Sequence, residues 1–212
     1  MKRARAAQDK EKRRQDFLVA ASGLFDAGDY SSVTMSQIAA KAGLSKGTVY
    51  LYFKSKEELF LQLLVDELEE WFGQLTQNLP LMQGQPVAVF AKGFVATLRA
   101  RPQLTRLLAL MHLVLENQLD AESAKVFKLR LQGMMLPAGA QLERVLGMPE
   151  GQGLRLLLHA HALTVGLHQM TSTSPVVQEV VESSPELEPL RLDFFEELER
   201  AIEVLIRGHA GP

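Results

Sequence analysis

The sequence contains no cysteine. That excludes disulfides, thiolate metal sites and a cysteine nucleophile, and makes a reducing cytoplasm the expected location. No uncharged apolar run approaches the ~18 residues that a membrane span needs, so no membrane partner is expected. The opening stretch, "MKRARAAQDKEKRRQ", has the charges of a signal peptide without its apolar segment, and no export is expected. Strand signals are missing too: there is no sustained Val/Ile/Thr alternation and no Asn-Gly or Asp-Gly hairpin. There is no Walker or Rossmann glycine pattern, no G-x-S-x-G elbow and no HExxH pair. The chain is therefore not expected to be an enzyme, and neither a cofactor nor a metal is expected. Proline is absent before Pro80.

What is present is helix. Residues 8–27 place Phe17, Ala20, Ala21, Leu24 and Phe25 at helical spacing, and Gly28 and Asp29 end the run. Thr34 is an N-cap for "MSQIAAKA", where Met35, Ile38, Ala39 and Ala42 share a face and Gly43 supplies the stop. Ser45 caps a short helix over 46–52. Ser55 and Glu58 form a capping-box pattern. It opens a helix from 56 to about 78, roughly 34 Å long at ~1.5 Å per residue. Pro86 and Pro102 stand before "VAVFAKGFVATLRA" and "QLTRLLALMHLVLENQL", where helices should begin. Pro137 removes the N–H that would bond the Gly133 carbonyl, so a kink or two shorter helices are predicted within 122–146. Two further helices, 151–171 and 190–207, flank a loop, "TSTSPVVQEVVESSPELEP". The expected fold class is all-α: an N-terminal three-helix helix-turn-helix head over 1–55 and a larger helical body over 56–212.

A net charge of −2 conceals an asymmetry. Residues 1–60 hold 11 Lys/Arg against 7 Asp/Glu, whereas 61–212 hold 12 against 18. A basic front on an acidic body points to an anionic partner for the front, unless the basic run is only a solvated tail. The neighbouring "GLSKGTVYLYFKSKEEL" argues for the partner. Two short helices joined through Gly43 outline a helix-turn-helix, with Leu44 placed to plug the space between them. Winding the second at ~100° per residue points Val49 and Phe53 inward and Gly47 and Leu51 outward. Lys46 and Tyr50 flank one side of the outer face, and Thr48 and Tyr52 the other. Such a face suits a DNA major groove: Gly47 allows close backbone approach, Leu51 meets a thymine methyl and Lys46 reaches guanine O6/N7. Thr48, Tyr50, Tyr52 and Lys56 can donate to phosphates, and the helix start at Ser45 offers N–H groups to another. Each residue alone has an ordinary explanation, as an exposed leucine, a core tyrosine or a solvated lysine. Their combination with two caps and a basic arm is what carries the reading.

From about residue 14 to 62 the sequence resembles the DNA-binding signature of TetR-type bacterial transcription regulators. "FDAGDYSSV" and "TMSQIAAKAGLSKGTVYLYFKSKEELF" agree in spacing from Ile38 through Gly43, Val49, Tyr50 and Phe53 to Lys56 and Leu59. The resemblance implies a homodimer with its third helix in the major groove. It also implies DNA contacts from Thr34, Met35, Ser36, Ser45, Lys46, Gly47, Thr48, Tyr50, Tyr52 and Lys56. Ser36, Lys46 and Gly47 fall at variable, base-facing positions, and the arm from Lys2 to Arg14 would add contacts.

The body carries no motif of similar strength. The resemblance implies a small-molecule ligand there, and dimerisation through 151–171 and 190–207. Leu154, Leu158, Ala162, Val165 and Gly166 offer one apolar face, and Leu192, Phe195, Leu198, Ile202, Leu205 and Ile206 another. Candidate pocket residues are Trp71, Phe94, Met111, His112, Glu116, Phe127, Met134, His161 and His168, set against their simpler role as core. A metal held by His112, Glu116, His161 and His168 ranks behind both core packing and polar contacts to an organic ligand. The expected function is a cytoplasmic, homodimeric repressor released from a double-stranded DNA operator by a ligand. The alternatives are a constitutive DNA-binding regulator without a ligand, and an activator.

Overall fold

The computed structural model describes the backbone of residues 2–209 and the side chains of 8–209 other than residue 113. The side chains of Lys2, Arg3 and Arg5 in the expected basic arm lie outside the described residues. Every regular element among the described residues is helical. The chain divides into two compact units, Met1–Glu67 with Leu110–Ala124, and Leu68–Ala109 with Lys125–Pro212. The division falls inside the long fourth helix, Lys56–Asn78.

The first unit holds α1 (Lys2–Ala27), a 3-10 turn at Tyr30–Ser32, α2 (Met35–Lys41), α3 (Lys46–Val49) and the first half of α4 (Lys56–Asn78). Its core is Phe17, Phe25, Ile38, Val49, Phe53, Leu59 and Phe60, all almost fully buried. Full burial of such side chains contributes about 1.5–3 kcal/mol each. Phe60 packs edge-to-face on both Phe25 and Tyr30. Gly43 turns the chain between α2 and α3 with φ +70, a left-handed conformation that a side chain would strain. The short helix ends earlier than the expected 46–52: α3 stops at Val49, and Tyr50 to Tyr52 continue as turns.

The second unit holds the rest of α4 with α5 (Val87–Arg99) and most of α6 (Pro102–Leu110) and α7 (Ala121–Leu146). It also holds α8 (Gln152–Thr171), α9 (Pro175–Ser183) and α10 (Phe194–His209). The α10 helix packs on α5 and α8, and Leu198, Ile202 and Ile206 are buried. The expectation of two helices over 122–146 is corrected: α7 runs unbroken through Pro137. Pro137 and Gly133 both face solvent, so the carbonyl that loses its partner stays open to water. The expected loop over 171–189 contains α9 and a 3-10 segment at Pro185–Leu190. Ser174 caps α9 and Pro175 occupies its first turn, a start signal that the loop-like composition outweighed. The last helix begins at Phe194 rather than 190, where Asp193 accepts the amide of Glu196. The run after Pro102 also departs from a single helix: α6 ends at Leu110, and a π turn (Met111–Leu115) and a 3-10 turn follow.

Two glycines fix the crossing of α7 and α8. A Cβ added to Gly139 would stand 2.8 Å from the Leu154 amide nitrogen, and one on Gly153 would run into the Gly139 carbonyl. The two backbones meet where no side chain fits.

Candidate nucleic-acid interface

Thr34 and Gln37 set the start of α2. The Thr34 hydroxyl accepts the Gln37 amide at 3.3 Å, and the Gln37 side-chain oxygen accepts the Thr34 amide at 2.8 Å. Ser45 caps α3 in the same manner, accepting the Thr48 amide at 3.3 Å. Each cap fixes the first turn of one helix, and each leaves its hydroxyl-bearing residue exposed.

The outer face of α3 matches the helical-wheel expectation. Val49 and Phe53 are buried, whereas Leu51 is 78% exposed. Thr48 is half-buried, and Lys46, Gly47 and Tyr50 are exposed. Nothing internal demands glycine at 47. Its backbone is not among the left-handed glycines, and the nearest atom to an added Cβ is the Ser45 hydroxyl oxygen at 3.9 Å. Glycine in a helix weakens it by up to about 1 kcal/mol relative to alanine. No contact within the chain offsets that cost.

Three candidate contacts are placed differently from the rest. Met35 is buried, so its side chain belongs to the core and not to an outer face. Tyr52 is half-buried, its ring 5.5 Å from that of Phe17. Lys56 turns inward: its ammonium donates to the carbonyls of Tyr30 at 2.9 Å and Val33 at 3.0 Å. That ammonium also lies 3.8 Å from the centre of the Tyr30 ring. Ser36 remains exposed at the start of α2.

Sequence reading missed Tyr30 and Glu57. The Tyr30 hydroxyl donates to Glu57 at 2.7 Å. Burial first, and then the Glu57 carboxylate, hold the phenol well above its usual range. Burial pushes Glu57 upward, but the Tyr30 hydroxyl, nearby backbone and Ser55 hydrogen bonds and Lys56 outweigh it and leave the carboxyl low. Burial lowers Lys56, and Glu57 works against that shift. Arg14, from the expected basic arm, stacks over the Phe53 ring at 5.4 Å and pairs with Glu11.

In the second unit, Trp71, Phe94 and Phe127 are buried. The Trp71 indole donates to Thr97 at 2.8 Å and packs edge-to-face on Phe94. Met134 and His161 are half-buried. His168 is half-buried against Phe194, and burial, then Arg106, lowers its pKa. In the first unit, Met111 is buried and His112 faces Glu116 at 3.3 Å. Among the described residues no three His, Asp or Glu side chains gather as a metal would require. Two clefts of the second unit, of about 680 and about 410 Å³, are lined by none of these nine residues.

Residues 17–63 match the family model of bacterial regulatory proteins of the tetR family. Residues 65–211 match the model of the tetracyclin repressor-like C-terminal domain. The chain belongs to the tetR family. It is a helix-turn-helix DNA-binding transcription regulator and not an enzyme. A curated relative, the uncharacterised HTH-type transcriptional regulator YfiR of Bacillus subtilis, is 34% identical over 71 residues, 34% of this chain and 35% of that protein. The match thus spans about a third of the relative's length. Among solved structures, the fatty acid degradation regulator FadR of Bacillus halodurans is similar at a TM-score of 0.56 and 16% identity, covering 92% of this chain and 94% of that one. FadR of Bacillus subtilis, in complex with stearoyl-CoA, gives 0.54 at 20% identity, covering 92% and 98%. These likenesses establish a shared tetR-type fold.

Proposed function

We propose that this tetR-family regulator is a homodimeric, cytoplasmic repressor that a small-molecule ligand releases from its operator. Residues 1–55 serve DNA, and 56–212 serve the ligand and the partner subunit. The observation that carries the reading is the exposed α3 face, with Leu51 in solvent and Gly47 free of internal constraint. Ser45, Lys46, Gly47, Thr48 and Tyr50 meet the major groove, with Thr34 and Ser36 exposed at the start of α2. Tyr52 offers its hydroxyl edge, whereas the Lys56 ammonium gives two of its bonds to backbone carbonyls within the chain. Among the described residues no helix is long and apolar enough to cross a membrane.

Dimerisation through α8 and α10 is supported by what intrachain packing leaves uncovered. Leu158 is 50% exposed and Ala162 is exposed. A Cβ on Gly166 would meet nothing, which suits close approach of a second helix. On α10, Leu198, Ile202 and Ile206 already pack within the chain, which leaves the half-buried Phe195 and Leu205 and the exposed Val204, at 69%, for the partner. The two heads of such a dimer would read half-sites about 34–36 Å apart or a multiple of that.

The ligand is proposed to have an apolar body. Trp71, Phe94 and Phe127 are support for this, as is the stearoyl-CoA bound by the similar Bacillus subtilis regulator. A constitutive regulator is the second reading, favoured by how completely those rings and the Trp71 N–H are satisfied without any guest.

The test is a duplex selected by the protein from a random-sequence pool, measured against a scrambled duplex across a salt series. Binding that beats the scrambled control and falls linearly in log affinity with log salt supports the DNA reading. Equal weak binding to both refutes it. Stearoyl-CoA added to the complex separates the two readings: release together with a raised Tm supports induction, and neither effect supports constitutive binding.

A further inference from the structure

The segment that delivers α2 to the interface is clamped by the first turn of α4. Three residues, Lys56, Glu57 and Phe60, hold it. The Lys56 ammonium closes the carbonyls of Tyr30 and Val33, at 2.9 and 3.0 Å. Glu57 accepts the Tyr30 hydroxyl at 2.7 Å. Phe60 meets the Tyr30 ring edge-on, 4.9 Å between centres. Val33 is followed directly by Thr34, the residue whose cap with Gln37 fixes the first turn of α2. Two of the three ammonium protons of Lys56 are therefore spent inside the protein, and the aromatic face below takes part of its charge.

We propose that Lys56, with Tyr30 and Glu57, is a positioning strut that ties the first turn of α4 to the start of α2, rather than a phosphate contact. The inference rests on the DNA-binding reading above. When residue 56 moves, the Tyr30 and Val33 carbonyls must follow or lose charge-assisted bonds, and Thr34 moves with them. A surface lysine on phosphate would leave α2 indifferent to α4. Here, lysine serves because a long stem and a three-proton head span the gap from α4 to two carbonyls three residues apart.

The two roles differ in an observable way. Each neutralised phosphate contributes about −0.9 to the slope of log affinity against log salt. Loss of a phosphate contact makes that slope shallower, whereas loss of a strut weakens binding at every salt concentration with the slope kept. The variant is Lys56→Met, which retains the stem and removes the ammonium. The probe is the duplex that the unaltered protein selects from a random pool. We expect affinity to fall roughly tenfold or more with an unchanged slope. In the free protein, the amides of Gln37 and Ile38 at the start of α2 should exchange hydrogen faster. A slope shallower by about 0.9 with α2 exchange unchanged would overturn the proposal and restore the phosphate role.

Tyr30→Phe keeps the ring and the Lys56 bonds but deletes the hydroxyl bond to Glu57. No reading places Tyr30 on DNA, so it guards against a Lys56→Met chain that does not fold. Affinity should fall a few-fold, about threefold, at constant slope, with faster α2 exchange. Unchanged affinity and unchanged exchange in this variant would equally sink the strut. The exchange measurement uses no DNA, so failure of the strut is distinguishable from failure of the DNA reading.

Discussion

Replacing Gly47 by glutamate should separate binding from stability. The added Cβ finds no atom closer than 3.9 Å, and the backbone conformation is one that any residue adopts. Loss of glycine recovers up to about 1 kcal/mol of helix preference. A carboxylate in the first turn gains a further ~0.3–1 kcal/mol from the helix dipole at low ionic strength. The folded chain should therefore be unchanged or slightly more stable. Binding should move the other way. A carboxylate about 6 Å from a phosphate, at an effective dielectric constant near 20–40, is repelled by roughly 1–3 kcal/mol. That corresponds to an affinity loss of about 5- to 150-fold. Thermal unfolding and duplex titration on one preparation would read both effects. Gly47→Ala adds bulk without charge and isolates the close-approach component. Unaltered duplex affinity for Gly47→Glu would refute the argument that this backbone lies against DNA. A stability loss above about 1 kcal/mol would refute the open space around it.

Other positions give further tests. Gly153→Ala places a methyl on the Gly139 carbonyl, where α7 and α8 cross backbone to backbone. It should cost about 1–3 kcal/mol in a denaturant titration, with recognition of duplex by the remaining folded protein unchanged. Thr34→Ala removes the reciprocal cap with Gln37 and should cost about 0.5–2 kcal/mol, a drop in Tm of a few degrees. An unchanged Tm would mean that Gln37 holds the turn alone. His168 has a pKa lowered by burial and by Arg106, so the unfolded chain takes up a proton more readily than the folded one. Stability should accordingly fall as pH drops below the ordinary histidine range near 6.5, and be fully retained above it. Denaturant midpoints measured at pH 7.5 and 5.5 should converge in His168→Asn, and persistence of the full difference would assign it to other groups.

The sequence alone determined the all-α class, the caps, the Gly43 turn and the sidedness of α3. These depend on local rules that act within one or two turns. A cap spans four residues, and a helical face follows from the period. Val49, Phe53 and Leu51 could thus be sorted into core and surface without any tertiary information. Elements whose local signals conflict were less legible. Ser174 and Pro175 opened a helix in a stretch whose composition suggested a loop. Pro137 stayed inside a helix because the carbonyl that it orphans faces water. The direction of a long flexible side chain was decided only by the fold. Lys56 stands beside other lysines and reads as a solvated cation. It turns inward because folding brings the Tyr30 and Val33 carbonyls, 26 and 23 residues earlier in the chain, within reach of its ammonium. The glycines at 139 and 153 are equally silent in sequence, since their need appears only when two helices cross. Periodicity specifies which way a residue faces, but only tertiary packing brings the partner that it meets.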